Sequence, residues 1–375
     1  MDLILSGERF LVVYRLRGDE VTARATAAEI GVEQTIEFPL GLAPPGGIRN
    51  HIVGQVTELR RDGPDHWLAT LSYAVESSGF ELTQLLNVIF GNFSLKPNVR
   101  VEHLELPVGL LAHFRGPRFG RDGWRGATGV PGRPLLATAL KPMGLPPTAL
   151  ADLAYRLALG GIDLIKDDHG LADQPFAPFS ERVARCVAAV DRANRETGER
   201  CLYLPNVTAP GDQAGRLARA ARQAGAGGLL ISPGLTGLGV MQHIADDEAV
   251  DLPLMAHPAF QGSFVVHPDH GIAHGVVFGQ IARLAGADAS IFPNFGGRFS
   301  FSRDECLSIA TACAAPLGEL RPILPAPGGG MSLERVPDML DVYGRDVIFL
   351  IGGGLHQRGP DLQANGRYFR SRIES

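Results

Sequence analysis

Cysteine is scarce in this chain of 375 residues. There are four, Cys186, Cys201, Cys306 and Cys313, and no two form a CxxC pair. That spacing excludes the usual disulfide and zinc frameworks and leaves buried, reduced thiols as the expectation. Long apolar runs are missing too: none approaches about 18 residues, so no membrane span is expected. Residues 1–9 lack a basic stretch followed by an apolar run, so no signal peptide is expected and a soluble cytoplasmic protein follows. There is no excess of cations, with 35 basic and 40 acidic residues and a net charge of −5. Nucleic-acid and membrane-surface binding need concentrated Lys and Arg, so neither is an expected partner.

What is present is length and apolar content. A chain of 375 residues, 45% hydrophobic, exceeds one ordinary domain and fits a barrel of about 250 residues plus a smaller domain. The first third reads as strand (Arg9–Leu16), helix (Val21–Gln34), hairpin (His51–Leu59 and His66–Val75), helix (Phe80–Phe90) and strand (Val99–Leu106). That βαββαβ order is ferredoxin-like α+β. The Gly/Arg/Pro-rich stretch Gly116–Pro134 reads as a linker. The expected domains are 1–130 and 131–375.

Eight short apolar runs follow, separated by Ala-rich amphipathic stretches. They are Leu135–Leu140, Ile162–Lys166, Cys201–Asn206, Gly228–Ser232, Leu252–His257, Ala287–Phe292, Pro322–Ala326 and Val347–Ile351. Continuous apolar strands buried on both faces suit a closed (β/α)8 TIM barrel. A doubly wound sheet is the alternative, but no GxGxxG follows the first run. Polar residues gather at the run ends: Lys141, Lys166, Asp168, His169, Asn206, Thr208, Ser232 and His257. Barrel active sites form at that end of the strands.

Gly328-Gly329-Gly330 and Gly352-Gly353-Gly354 follow the seventh and eighth runs. Loops there often bind phosphate through bare backbone N–H groups, although two tight turns would use the same residues. In Lys166-Asp167-Asp168-His169, Lys166 would end a buried strand, and Lys166 and Asp168 share a face. They are either a functional pair or a structural ion pair. Lys141 is a candidate proton carrier or a second ion-pairing lysine. His257 is a candidate catalytic group or a satisfied structural histidine. His267, His270 and His274 lie in an expected loop, have no standard metal spacing, and are assigned to solvent or lid contacts.

These residues, in this order, resemble the RuBisCO large-subunit superfamily over nearly the whole chain. The resemblance implies that Lys166 is converted by CO2 to a carbamate and binds Mg2+ with Asp168, and that His169 stands where a glutamate is expected. It implies that Lys141 is the catalytic lysine of the first barrel strand. Gly91-Asn92 and Gly352-Gly353-Gly354 fit the same pattern. Several positions depart from it. Met143 replaces the second lysine of a KPK motif, Pro258 an arginine, Ile291 or a neighbour a histidine, and Pro327 or Gly328 a serine. Gln84 stands for an asparagine, Glu33 for the acid of the first domain, and Arg298 lies near the place of a mobile-loop lysine.

The departures remove one of two phosphate sites. What the resemblance then implies is a RuBisCO-like enzyme that does not fix CO2 and forms an enolate from a ketose monophosphate. The expected reaction is that of an isomerase or enolase of the 5-methylthioribulose 1-phosphate type. A decarboxylase of a 3-oxo sugar-acid phosphate and a non-catalytic phosphometabolite-binding protein are the alternatives. The implied catalytic residues are Lys141, Lys166 and His257, and the implied Mg2+ ligands Lys166, Asp168 and His169. Gly329, Gly330, Gly353 and Gly354 would hold phosphate, and Arg298, Glu33 and Gln84 would touch substrate. The family also implies a homodimer in which Glu33 and Gln84 complete the neighbouring site.

Overall fold

Strand alternation builds the N-terminal sheet. In β1 (Arg9–Arg17), Phe10, Val12, Tyr14 and Leu16 are buried and their neighbours are not, as the two-residue period of a strand with one covered face requires. β2 (Gln55–Arg61) and β3 (His66–Ala74) form the expected hairpin, and β4 (Val99–Glu105) runs antiparallel to β1 on its other side. Helices Glu20–Glu33 and Leu82–Phe90 are capped by Asp19 and Glu81, whose carboxylates accept from first-turn N–H groups. The computed structural model describes residues 3–374, and no helix among them is long and apolar enough to cross a membrane.

The chain divides into two units. The first is the chain to Arg115 with Gln261–Ile281 and Pro316–Leu320; the second is Gly116–Phe260, Ala282–Ala315 and the chain from Arg321 onward. Within Gln261–Ile281 the reading of a solvent or lid loop is corrected at His274. Gly271–Ile272 adds a parallel strand to the edge of β4. His267 is exposed, but His274 is buried with its Nδ1 3.4 Å from the Arg100 guanidinium. Arg100 also donates to the carbonyls of Val265, His267 and His270. A buried guanidinium needs several acceptors, and this backbone supplies them.

In the second unit the eight runs all become parallel strands: β5 (Leu135–Leu140), β6 (Leu164–Asp167), β7 (Leu202–Leu204), β8 (Leu229–Ile231), β9 (Leu254–Ala256), β10 (Ala289–Pro293), β11 (Leu324–Gly328) and β12 (Ile348–Leu350). One arc has the order β12-β5-β6-β7 and the other β8-β9-β10-β11. A parallel bridge between Asn206 and Leu230 joins them at one seam, and β11 lies beside β12 at the other. The barrel interior is filled by Leu135, Leu164, Leu204, Leu230, Met255, Ile291, Leu324 and Ile348, so it is a packed core rather than a channel.

The stretch read as a linker is not one. Gly120–Thr128 is a helix, and its Trp124 is fully buried in the barrel core. The Asp288 carboxylate accepts from the N–H groups of Phe119 and Gly120 at 2.8 and 2.6 Å and fixes the helix entry. The indole reaches the start of β8: its Cη2 lies 2.9 Å from where a side chain on Gly228 would begin. Loop-forming composition hid a helix anchored by a large apolar side chain in a tertiary socket and by the Asp288 carboxylate at its entry.

Candidate active site

The polar residues at the strand ends converge. β5 ends at Leu140 and β6 at Asp167, and these two are register partners, so Lys141 and Asp168 emerge side by side. Lys141 Nζ lies 2.7 Å from Asp168 Oδ2. The His169 Nδ1 is 3.3 Å from the other oxygen, Oδ1. Burial works against the ionised Asp168. Hydrogen bonds from His169 and Lys141, with the charges of Lys141 and Lys166, outweigh it and hold this carboxyl well below the usual carboxylate range.

Lys166 is the last buried cation of β6, 3% exposed. Its ammonium donates to the Asp167 carbonyl at 3.0 Å and forms no ion pair within 4.0 Å among the described residues. Burial drives its pKa down to about 8, opposed by Asp168 and Asp167 and assisted by Lys141. Of the two readings of Lys166 and Asp168, the structural ion pair is not formed: Lys141, not Lys166, takes Asp168.

Asp167 does structural work that the sequence did not signal. It is fully buried and accepts from Arg182 Nε (3.1 Å), Tyr203 OH (2.7 Å) and Asn206 N (3.0 Å). Arg182, also fully buried, comes from the helix Phe179–Thr197. Asn206 in turn donates to the carbonyls of His169 and Leu171, and its Oδ1 accepts from Thr208. This network locks the turn that carries Asp168 and His169. Only the β6 run of two acids in succession hinted at it.

His257, at the end of β9, stacks on His169 with ring centroids 4.5 Å apart and planes 13° from parallel. Burial, then the charges of Lys166 and His169, lower its pKa to about 2, so the imidazole is neutral. Its Nδ1 accepts from Ala259 N at 3.2 Å, which places the proton on Nε2. His356, not singled out by the sequence, also lies in this field: burial and the charge of Lys141 lower its pKa.

The glycine loops meet as well. Gly329 and Gly330 have φ of 78° and 95°, a conformation that disfavours any side chain. The helix Gly353–Gln357 starts directly after β12, and a side chain on Gly354 would begin 2.6 Å from the Met331 carbonyl. One on Gly352 would begin 3.8 Å from Lys141 Cε. Arg298 is exposed, and its N–H donates to the Gly329 carbonyl at 3.4 Å. Glu33 and Gln84 lie in the N-terminal unit. Glu33 accepts from Asn92 Nδ2 at 3.0 Å, and Gln84 accepts from Asn87 Nδ2 at 3.3 Å.

Among the described residues no three His, Cys, Asp or Glu side chains form a metal-binding group. One carboxylate and one imidazole are too few hard donors for Mg2+. Lys166 changes that count: a buried amine with a lowered pKa is suited to take up CO2, and the resulting carboxylate adds oxygen donors beside Asp168. On that condition the residues fit the ion.

Comparison with known proteins gives the same lineage. Residues 124–296 match the family described as ribulose bisphosphate carboxylase large chain, catalytic domain. The 5-methylthioribulose-1-phosphate isomerase of Rhodospirillum rubrum is 43% identical over 93% of this chain and 91% of its own. The chain belongs to the RuBisCO-like family. Another RuBisCO-like relative, the 2,3-diketo-5-methylthiopentyl-1-phosphate enolase of Geobacillus kaustophilus, is 35% identical over 82% of this chain and 75% of its own. The crystal structure of the RuBisCO-like protein from Rhodopseudomonas palustris superposes with a TM-score of 0.89 at 38% identity, covering 98% of each chain. The RuBisCO-like departures have clear places in this fold. Met143 is exposed beyond Lys141, Ile291 fills the barrel core, and Pro327 is buried within β11.

Proposed function

We propose that this protein is a non-carboxylating enolase or isomerase that moves a proton on a ketose monophosphate of the 5-methylthioribulose 1-phosphate type. The observation that carries the reading is the 2.7 Å Lys141–Asp168 pair beside buried Lys166 at the barrel mouth. It agrees with the isomerase and enolase activities named for the two relatives above.

In this reading Lys141 carries the proton. Its free amine takes a proton from the carbon next to the substrate carbonyl, the C–H electron pair passes to the enolate, and the resulting ammonium returns the proton to a neighbouring carbon or oxygen. Asp168 orients Nζ. Neutral His257 presents Nε2–H to the oxygen that becomes anionic. The glycines at 329, 330, 353 and 354 hold the phosphate through backbone N–H groups, and Arg298 adds a cation to their rim. A carbamate on Lys166, with Asp168 and His169, would hold Mg2+, which would supply Lewis-acid chemistry at the carbonyl. We further propose a cytoplasmic homodimer in which Glu33 and Gln84 of one protomer complete the site of the other. The four cysteines, all buried and none in a disulfide, support the reducing compartment.

The test is solvent-deuterium exchange into a panel of ketose 1-phosphates with Mg2+ and bicarbonate, followed by NMR with parallel CO2 detection. Exchange without CO2 release, lost in Lys141→Met, is the expected result. No exchange into any member of the panel overturns the proposal.

A further inference from the structure

Among its described residues the barrel unit exposes five large hydrophobic side chains: Met143, Phe176, Leu235, Phe260 and Phe299. Each lies on a segment that follows the C-terminal end of a strand, after β5, β6, β8, β9 and β10 in turn. None lies on an outer helix or at the opposite end of the barrel. The segments after β11 and β12, which carry the glycines, have none. Phe299 packs against the glycine loop, its ring 3.1 Å from where a side chain on Gly329 would begin, and the other four stand on segments other than the two glycine loops. Exposed apolar side chains gathered in one place mark a surface that meets an apolar partner.

Met143 is the member of this group tied closest to the reacting groups. It stands two residues beyond Lys141, whose Nζ pairs with Asp168. Its side chain is 52% exposed yet held. The Cε lies 3.2 Å from where a side chain on Gly170 would begin, so a larger residue at 170 would press on the thioether. Gln174 Nε2 is 3.8 Å from the Met143 sulfur and donates to the Gly170 carbonyl at 2.7 Å. The Gln174 Oε1 accepts from Ala172 N at 2.8 Å. One glutamine thus fastens the loop after β6 and the thioether of the loop after β5. A solvent-facing methionine with no function would not need such a seat.

We propose that Met143 is a specificity-determining residue: it receives an apolar substituent at the end of the substrate away from the phosphate, and so selects alkyl- or alkylthio-tailed ketose phosphates over hydroxyl- or phosphate-tailed ones. A thioether suits this task because it is unbranched, polarisable and offers no strong hydrogen bond to a hydroxyl. The inference rests on the proposed phosphoketose substrate and adds the chemistry of its second end.

The experiment compares two ketose 1-phosphates that differ only at C5, one ending in a methylthio group and one in a hydroxyl. Binding is measured by titration calorimetry on the full chain, separately from proton exchange. The wild type is expected to bind the methylthio compound about tenfold or more tightly, the size of discrimination that one small apolar contact provides. Met143→Gln and Gly170→Ala are expected to reduce that ratio to about threefold or less, and Met143→Leu to keep it. A wild-type ratio near one, or an unchanged ratio in Met143→Gln, overturns the inference even if both compounds exchange protons. A retained binding ratio without proton exchange upholds the inference and overturns the proposed reaction.

Discussion

The rings of His169 and His257 lie face to face, 4.5 Å apart, across the ends of two strands that are not neighbours in the barrel. One is exposed and touches Asp168; the other is nearly buried and neutral. The stack brings the proposed third metal ligand, His169, against the proposed catalytic histidine, His257.

His169→Glu tests whether position 169 belongs to the metal shell. A carboxylate is a better Mg2+ ligand than an imidazole. With bicarbonate present, the variant is expected to bind Mg2+ about tenfold or more tightly by calorimetry. Unchanged affinity would place residue 169 outside the shell.

His257 makes stability depend on pH in a defined window. Its pKa falls from an ordinary 6.5 in the unfolded chain to about 2 in the fold, so below pH 6.5 the unfolded chain binds the proton and the fold does not. Its contribution is fully present above pH 6.5 and falls by up to about 1.4 kcal/mol per pH unit below it, toward pH 2. Asp168 also loses its contribution on acidification, but only below the usual carboxylate range. Urea unfolding at pH 7 and pH 5 should show a larger loss for the wild type than for His257→Gln. Equal losses would mean that His257 is not held neutral.

The proposed carbamate on Lys166 can be tested through its pH dependence. Only the free amine attacks CO2, and a pKa of about 8 leaves about one molecule in ten unprotonated at pH 7. The uptake of 13C-labelled CO2, read by NMR of the carbamate carbon with Mg2+ present, should rise from pH 7 to pH 8.5 and be absent in Lys166→Arg. A carbamate signal that persists in Lys166→Arg would assign it to another amine.

Asp167 and Arg182 are both fully buried, 3.1 Å apart. Asp167→Ala leaves a guanidinium without its counterion and removes the acceptor of Tyr203 and Asn206. A loss of about 3–5 kcal/mol in unfolding free energy is expected. A loss under about 1 kcal/mol would show that the network does not brace the site.

Shared sites can be tested by mixing. Glu33→Ala and Lys141→Met are each expected to be inactive alone. If Glu33 serves the site of the partner protomer, dissociated and reassociated mixtures recover part of the wild-type activity, because one site of each mixed dimer is intact. No recovery despite subunit exchange, followed by native mass spectrometry, would place Glu33 outside the neighbouring site.

Most of the fold was legible along the chain. The eight barrel strands are continuous apolar runs because both of their faces are covered, and β1 alternates because only one is. Lys141, Asp168 and His257 were legible for a related reason: a polar residue directly after a buried run must lie at the barrel mouth. The helix around Trp124 was not legible. Its local composition favours a loop, and its stabilising contact is a socket made by strands far away in sequence. His274 was misread for the same reason, since only the fold brings Arg100 against it.

The sequence by itself therefore determined the architecture, the strand ends and the residue types gathered there, because burial pattern and strand order are local and periodic. Tertiary structure alone decided the pairings. It gave Asp168 to Lys141 rather than Lys166, set Asp167 against Arg182 and stacked His169 on His257. Each pairing joins side chains from different strands, helices or loops, and their distances are set by barrel closure, not by spacing along the chain.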